Sequence, residues 1–360
     1  MSMGNVQWIP LVPVAELPAD LELMAKKWIA MEDGDPNFIQ TVGQVPETLR
    51  PYIRWSSPMW RKGLIQHRTK ELCRIRIANA NDCPYCMNMR FETGRRQGID
   101  KVLEDQLGDY EAGDFTDREK AALRYTDEIY MDNILWDYQR VPADVYERLS
   151  LQFTEAEIVE LTWAISVAIE YGRNFTVWGV PVTNEKTRLP LQQLQERMSP
   201  KLEVDSATEA ECRAELLRIY DEQPKDAVAL STLLARPDML HPVLRYYRHL
   251  TDGGPLEPSV KHAVKTKILQ LDERITDGDQ PGQATERVAA ATEWAAAMAV
   301  DFRTLVGNTD ARDRLAAVFS VPELVELGMW SGFSLILRRV AAVLGSRVLP
   351  ATYGLQAPTR

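Results

Sequence analysis

The longest hydrophobic pattern in the chain is TEAEIVELTWAISVAIEYGRNFTVWGV, Thr154 to Val180. Thr154 followed three residues later by Glu157 has the spacing of a capping box. Apolar residues then recur at helical spacing and become nearly continuous, as expected of a helix held inside a bundle with only its ends wet. TDREKAALRYTDEIYMDN opens the same way, with Thr116 as cap and Glu119 three residues on. PADVYERLSLQF reads as a shorter helix opened by Pro142. No convincing alternating strand of five or more residues occurs. The pattern predicts an all-α fold.

The pattern also repeats. FSVPELVELGMWSGFSLILRRVAAVLG, Phe319 to Gly345, matches Phe153 to Gly179 at a constant offset of 166 residues, pairing Phe153 with Phe319, Glu157 with Glu323, Arg173 with Arg339 and Gly179 with Gly345. Upstream, VPETLRPYIRW at Val45 matches RPDMLHPVLRY at Arg236 at an offset of 191, and Gly63 and Lys70 meet Gly254 and Lys261. The difference of 25 residues falls around and just after Cys-Pro-Tyr-Cys, so the second copy keeps the scaffold without that motif. A polar, proline-bearing stretch separates the copies. The expected organisation is a first unit over 1–182, a linker over 183–206, a degenerate second unit over 207–348 and an irregular tail over 349–360.

Charge and composition narrow the chemistry. A net charge of −10 disfavours nucleic acid, whose phosphates need a basic surface. No run of eighteen apolar residues predicts a membrane span, and the N-terminus lacks the basic start and apolar stretch of a secretory signal, so a cytoplasmic address is the default expectation. Of four cysteines, Cys73 and Cys212 read as small core residues. Cys83 and Cys86 form a close pair, which in a reducing compartment points to redox or metal chemistry. Zinc wants four ligands, and no second pair or local histidine is present.

Asp82 reads as an N-cap and Pro84 fits a first helical turn, so the next helix is expected to start near Cys83 and to carry Cys86, Arg90 and Gly94 along one side. A helix start stabilises a thiolate, cysteines at i and i+3 are within disulfide reach, and Arg90 on the same face should lower a thiol pKa further. Glu71 is a candidate acid or the partner of an ion pair with Arg74 or Arg90. Tyr85 could bond a substrate or merely cover the pair. His67, one turn before Glu71, is a candidate base or a surface or capping residue. Trp55 and Trp60 are expected in the core, with a pocket wall as the alternative.

Residues 40 to 180 resemble the alkyl hydroperoxidase D-like members of the carboxymuconolactone decarboxylase family. That family's redox motif is a glutamate, eleven residues, C-x-x-C, three residues and a histidine. Here Glu71, Cys83 and Cys86 keep the spacing, and Arg90 stands at the histidine. RTKELCRIRIANANDCPYC, FTDREKAALRYTDEI and FTEAEIVEL also resemble family text. The resemblance implies two tandem helical bundles, the second degenerate, and a homo-oligomer, since single-copy relatives assemble into trimers or hexamers. It implies Cys86 as the sulfur that meets peroxide, Cys83 as the resolving sulfur and Glu71 as the acid of a proton relay. Arginine cannot serve as that relay's base near neutral pH. The expected activity is a thiol-dependent peroxidase or disulfide oxidoreductase, acting on a peroxide or small organic substrate, reset by an external dithiol and needing no bound cofactor or metal. The alternative is a non-redox decarboxylase, lyase or hydrolase in which Arg90 binds a substrate anion and Glu71 moves a proton. An interaction scaffold is a third reading.

Overall fold

A computed structural model describes residues 6–30, 35–90, 92–131, 141–182, 204–273 and 285–345. Among these residues the regular structure is entirely helical. In chain order the α-helices are α1 (Ala19–Ala30), α2 (Asn37–Val42), α3 (Pro46–Arg61), α4 (His67–Ala80), α5 (Pro84–Asn88), α6 (Glu92–Arg96), α7 (Lys101–Asp105), α8 (Asp117–Met131), α9 (Ala143–Ser150) and α10 (Glu155–Trp178). They continue as α11 (Ser206–Glu222), α12 (Pro224–Ser231), α13 (Pro237–Asp252), α14 (Pro258–Glu273), α15 (Glu286–Asp301), α16 (Thr309–Val318) and α17 (Val321–Leu344). Most of the predicted linker and the whole tail lie outside the described residues. Among the described residues after 182, the first helix starts at Ser206.

The two long apolar helices form the centre because no other arrangement hides them. Each buried large apolar side chain is worth roughly 1.5–3 kcal/mol, and α10 and α17 are buried along nearly their whole lengths. They pack on each other, and α3 packs on α13 beside them. By length and composition α17 could cross a membrane, yet 89% of its apolar window is buried inside the protein. The start of α10 is the expected capping box: the Thr154 amide donates to Glu157 Oε2 at 2.8 Å, and the Glu157 amide to Thr154 Oγ1 at 3.4 Å. Thr116 and Glu119 make the same reciprocal pair before α8. Gly179, at φ 64°, ends α10 in the left-handed conformation that glycine adopts without strain. The crossing of α10 and α17 needs a bare backbone at Gly328, where a Cβ would stand 2.2 Å from the Trp178 ring.

Residue pairs matched by the sequence repeat make matching contacts. Lys70 Nζ donates to buried Glu160 at 2.6 Å, and Lys261 Nζ donates to buried Glu326 at 2.6 Å. Arg118 bonds Glu157 and the Gln152 carbonyl while lying over Phe153. Arg287 is 169 residues after Arg118, at neither repeat offset, yet it likewise bonds Glu323 and the Val318 carbonyl while lying over Phe319. The seam between the two sets of helices is polar as well as apolar. Arg236 reaches Glu160, Arg339 donates to Glu170 at 2.6 Å, and the Tyr171 and Tyr246 hydroxyls meet at 2.9 Å. Tyr52, Trp55, Trp163, Tyr246 and Phe333 fill the space between as one aromatic cluster.

Candidate active site

The cysteine pair sits where α4 stops. Asn81 caps α4 and holds the turn to α10 by donating to the Ile169 carbonyl at 3.1 Å. Asp82 takes a positive φ of 49°, so it bends the chain and does not cap the next helix. The N-cap is Cys83 itself, whose sulfur accepts from the Cys86 amide at 3.2 Å. Pro84 follows at the first helical position, where its missing N–H costs nothing. Cys83 and Cys86 are joined as a disulfide, with Cα atoms 5.2 Å apart. Gly172 of α10 makes the close approach possible: a Cβ there would lie 2.7 Å from Asn81 Nδ2 and 3.9 Å from Cys86 Sγ.

The two sulfurs differ in access. Cys83 is 0% exposed and Cys86 8% exposed. Only Cys86 lines a cavity of about 390 Å³ that opens beside the turn. The cavity walls are aromatic, with Trp28, Phe38, Tyr52, Trp60, Tyr171 and Phe175 prominent among them. Trp60 is buried in the core and also lines the cavity, so both readings of it hold, whereas Trp55 is core alone. Among the described residues, the charged side chains lining the cavity are Lys27, Arg61 and Arg74, and no carboxylate lines it.

Arg90 is not where the helical spacing put it. The helix α5 ends at Asn88, and Met89 is already extended, so the four-residue periodicity that would align Arg90 with Cys86 breaks off. Arg90 instead grips Glu104 through two bonds of 2.6 and 2.7 Å and donates to the Met87 and Met89 carbonyls. It closes the end of α5 and does not line the cavity. The guanidinium at the cysteines belongs to Arg74. Its Nη1 donates to the Cys86 carbonyl at 2.9 Å, and its Nη2 to the Met89 carbonyl at 2.7 Å. Its Nε and Nη2 also hold both oxygens of Glu71, each at 2.7 Å. Burial works to lower the Arg74 pKa, but Glu71 outweighs it and the pKa is raised. Arg74 follows Glu71 by three residues on α4, a spacing that already pairs side chains on a helix; what the sequence could not show is that α5 would fold back over that pair.

Glu71 is 1% exposed and does not line the cavity, so it meets the site through Arg74. His67 is fully buried at the start of α4, neither a surface residue nor a residue of the cavity wall. Desolvation, followed by the charges of Lys70, Arg61 and Arg74, holds its pKa well below the usual histidine range. Tyr85 lines the cavity with its ring, but its hydroxyl is engaged: it donates to the Asp35 carbonyl at 3.2 Å and accepts from the Phe38 amide at 3.3 Å. Burial pushes that phenol well up. Tyr85 thus ties the cysteine turn to the start of α2 and does not present a hydroxyl to a ligand. Cys73, away from the pair, is buried and its thiol is pushed up to about 12 by desolvation. Among the described residues no group of three or more His, Cys, Asp or Glu is placed to hold a metal ion.

Comparisons with known proteins add sequence kinship without an activity. The uncharacterized protein YdfG of Bacillus subtilis (strain 168) is 29% identical over 110 residues, 30% of this chain and 72% of that protein. Two uncharacterized proteins of Mycobacterium tuberculosis, from strains CDC 1551 / Oshkosh and ATCC 25618 / H37Rv, are each 31% identical over 98 residues, 27% of this chain. The chain spans about a third of the length of those two relatives. No family model matches the chain, and no solved structure does.

Proposed function

We propose that the protein is a thiol-dependent peroxidase or disulfide oxidoreductase, with Cys86 as the attacking sulfur and Cys83 as the resolving one. The observation that carries this reading is the asymmetry of the pair: Cys86 faces an aromatic cavity, while its bonded partner Cys83 is sealed behind it. In the reduced protein the Cys86 thiolate attacks the outer oxygen of a peroxide ROOH. The O–O bond breaks, ROH leaves after taking a proton, and the sulfur becomes a sulfenic acid. The Cys83 thiol then displaces water from that sulfenic acid and closes the disulfide, and an external dithiol returns two electrons and two protons. Arg74 and the amide ends of α5 supply the positive potential that favours the thiolate. Glu71 positions Arg74. The aromatic lining fits an organic peroxide or disulfide better than a bare hydrogen peroxide, because walls of that kind gain most from covering apolar surface.

The matched contacts of Lys70–Glu160 and Lys261–Glu326 support a reading of the chain as two tandem alkyl hydroperoxidase D-like bundles, with the pair retained in the first. Nothing at the site favours the non-redox alternative, since Arg90 is engaged by Glu104 and Glu71 by Arg74. The test is stoichiometric. Reduced protein should consume about one equivalent of cumene hydroperoxide per chain as both thiols of the pair become resistant to alkylation, and Cys86→Ser should abolish consumption. Unchanged consumption in Cys86→Ser, or thiols that stay alkylatable after peroxide, would overturn the assignment.

A further inference from the structure

The turn that carries Cys83 and Cys86 is held by both sets of helices. The last four carbonyls of α4, those of Ile77, Ala78, Asn79 and Ala80, lie beyond the reach of the helix's own amides. Three are taken by the turn itself. The Asn81 amide donates to Ile77 at 2.8 Å, the Cys83 amide to Ala78 at 3.1 Å and the Asp82 amide to Asn79 at 3.1 Å. The fourth, Ala80, accepts from side chains of two other elements: the Tyr130 hydroxyl of α8 at 2.8 Å and Arg303 Nη2 at 2.8 Å. Arg303 lies in the short 3-10 turn Phe302–Leu305 after α15, 223 residues beyond Ala80. The second set of helices, which has no cysteine pair, therefore bonds the end of the helix from which the first set's pair hangs. The contact is braced. Arg173 of α10 lies over the rings of Tyr130 and Phe302, 5.8 and 5.3 Å from their centroids. Arg339 of α17 donates to the Ile129 carbonyl, next to Tyr130, and to Glu170, next to the Ile169 whose carbonyl accepts from Asn81.

We infer that Arg303 is a positioning residue for the cysteine pair, and that through it the second set of helices holds the turn in the shape from which the disulfide closes. The inference rests on the proposed reading of the pair as redox-active. Once the pair is reduced, no covalent bond spans the turn, and its shape depends on how it is tied to the end of α4. A dithiol closes in proportion to the share of time its sulfurs stand within bonding reach. Cys83 hangs from α4 by its amide on Ala78, two residues before the carbonyl that Arg303 binds. The bond is also favoured by charge, since a cation at a helix C-terminus meets the negative end of the helix dipole. Arg303 is exposed and does not line the cavity, so its influence reaches the sulfurs through Ala80.

The test is the equilibrium of the Cys83–Cys86 pair in the full chain with buffers of graded reduced and oxidised glutathione at pH 7.5, read as the share of the two cysteines blocked to alkylation. Arg303→Met should lower the equilibrium constant for disulfide closure about threefold, the size expected of an exposed cation at a helix C-terminus. Arg303→Lys keeps a donor and a charge for Ala80 and should restore most of that loss. The replaced side chain is exposed, so neither variant should harm the fold. An equal or larger constant in Arg303→Met, or a loss that Arg303→Lys leaves unrestored, would overturn the inference. Peroxide plays no part in this measurement. Failure of the proposed function, seen as unchanged peroxide consumption in Cys86→Ser, therefore stays distinct from failure of this inference.

Discussion

Removing the charge of Glu71 should make Cys86 more acidic. The Arg74 guanidinium donates to the Cys86 carbonyl at 2.9 Å, which by the covalent reach of one residue puts its donor nitrogen within about 7.5 Å of the sulfur. At an effective dielectric constant of about 20, that separation is worth about 2 kcal/mol of attraction for a thiolate. Glu71, bonded to the far side of the same guanidinium, cancels part of it, and about half is a reasonable remainder, or about one pKa unit. Glu71→Gln lifts the cancellation and should lower the Cys86 pKa by about one unit, whereas Arg74→Met removes the whole attraction and should raise it by about twice as much. The stabilities should diverge too. Arg74→Met leaves Glu71 buried and unneutralised by its guanidinium, at a cost of about 3–5 kcal/mol, and the double variant Glu71→Gln/Arg74→Met should recover part of that loss. The assay is the rate of iodoacetamide alkylation of reduced protein against pH in the Cys83→Ser background, with urea unfolding alongside. A Cys86 pKa that stays fixed across all three variants would refute the electrostatic assignment to Arg74. A pKa that rises in Glu71→Gln would reverse its sign and return Glu71 to the role of a proton acceptor.

Other expectations follow from the same geometry. Gly172→Ala forces a Cβ to within 2.7 Å of Asn81 Nδ2 and should cost about 1–3 kcal/mol while loosening the cysteine turn, seen as a lower urea midpoint together with faster reduction of the disulfide by dithiothreitol. Glu160→Gln withdraws the carboxylate that Lys70 and Arg236 share at 0% exposure and should destabilise the chain by about 3–5 kcal/mol in chemical denaturation. His67 binds its proton more weakly folded than unfolded, so the unfolded chain gains protons first as pH falls. Its contribution is present above about pH 6.5 and is lost below that value at up to about 1.4 kcal/mol per pH unit. Urea midpoints from pH 7.5 to 5.5 should fall, and His67→Gln should flatten the slope.

The order of the chain was legible because it rests on local and periodic signals. The reciprocal caps at Thr154 and Thr116 are written within four residues, and the burial of α10 follows from an apolar run with no polar face to offer water. The repeat was visible for the same reason: a packed helix pair constrains residue type at fixed spacing, so Lys70 and Lys261 stand in register and each finds its carboxylate. The cysteine spacing identified the sulfurs. It did not reveal which guanidinium attends them, because that depends on where a five-residue helix stops. A helix two turns long would have carried Arg90 to the pair. One that ends at Asn88 sends Arg90 to Glu104 and leaves Arg74, from the preceding helix, to bind the carbonyls it exposes. The cavity and its lining come from six separate helices, α1, α2, α3, α4, α5 and α10, and no periodicity within one element encodes how far apart six elements stand. Sequence alone determined the main helices, their order and the paired sulfurs, since each is a property of neighbours along the chain. Tertiary structure alone decided which sulfur faces a cavity, which charge stands beside it and that His67 is sealed, since each depends on groups distant in sequence that desolvate one another only when the chain has folded.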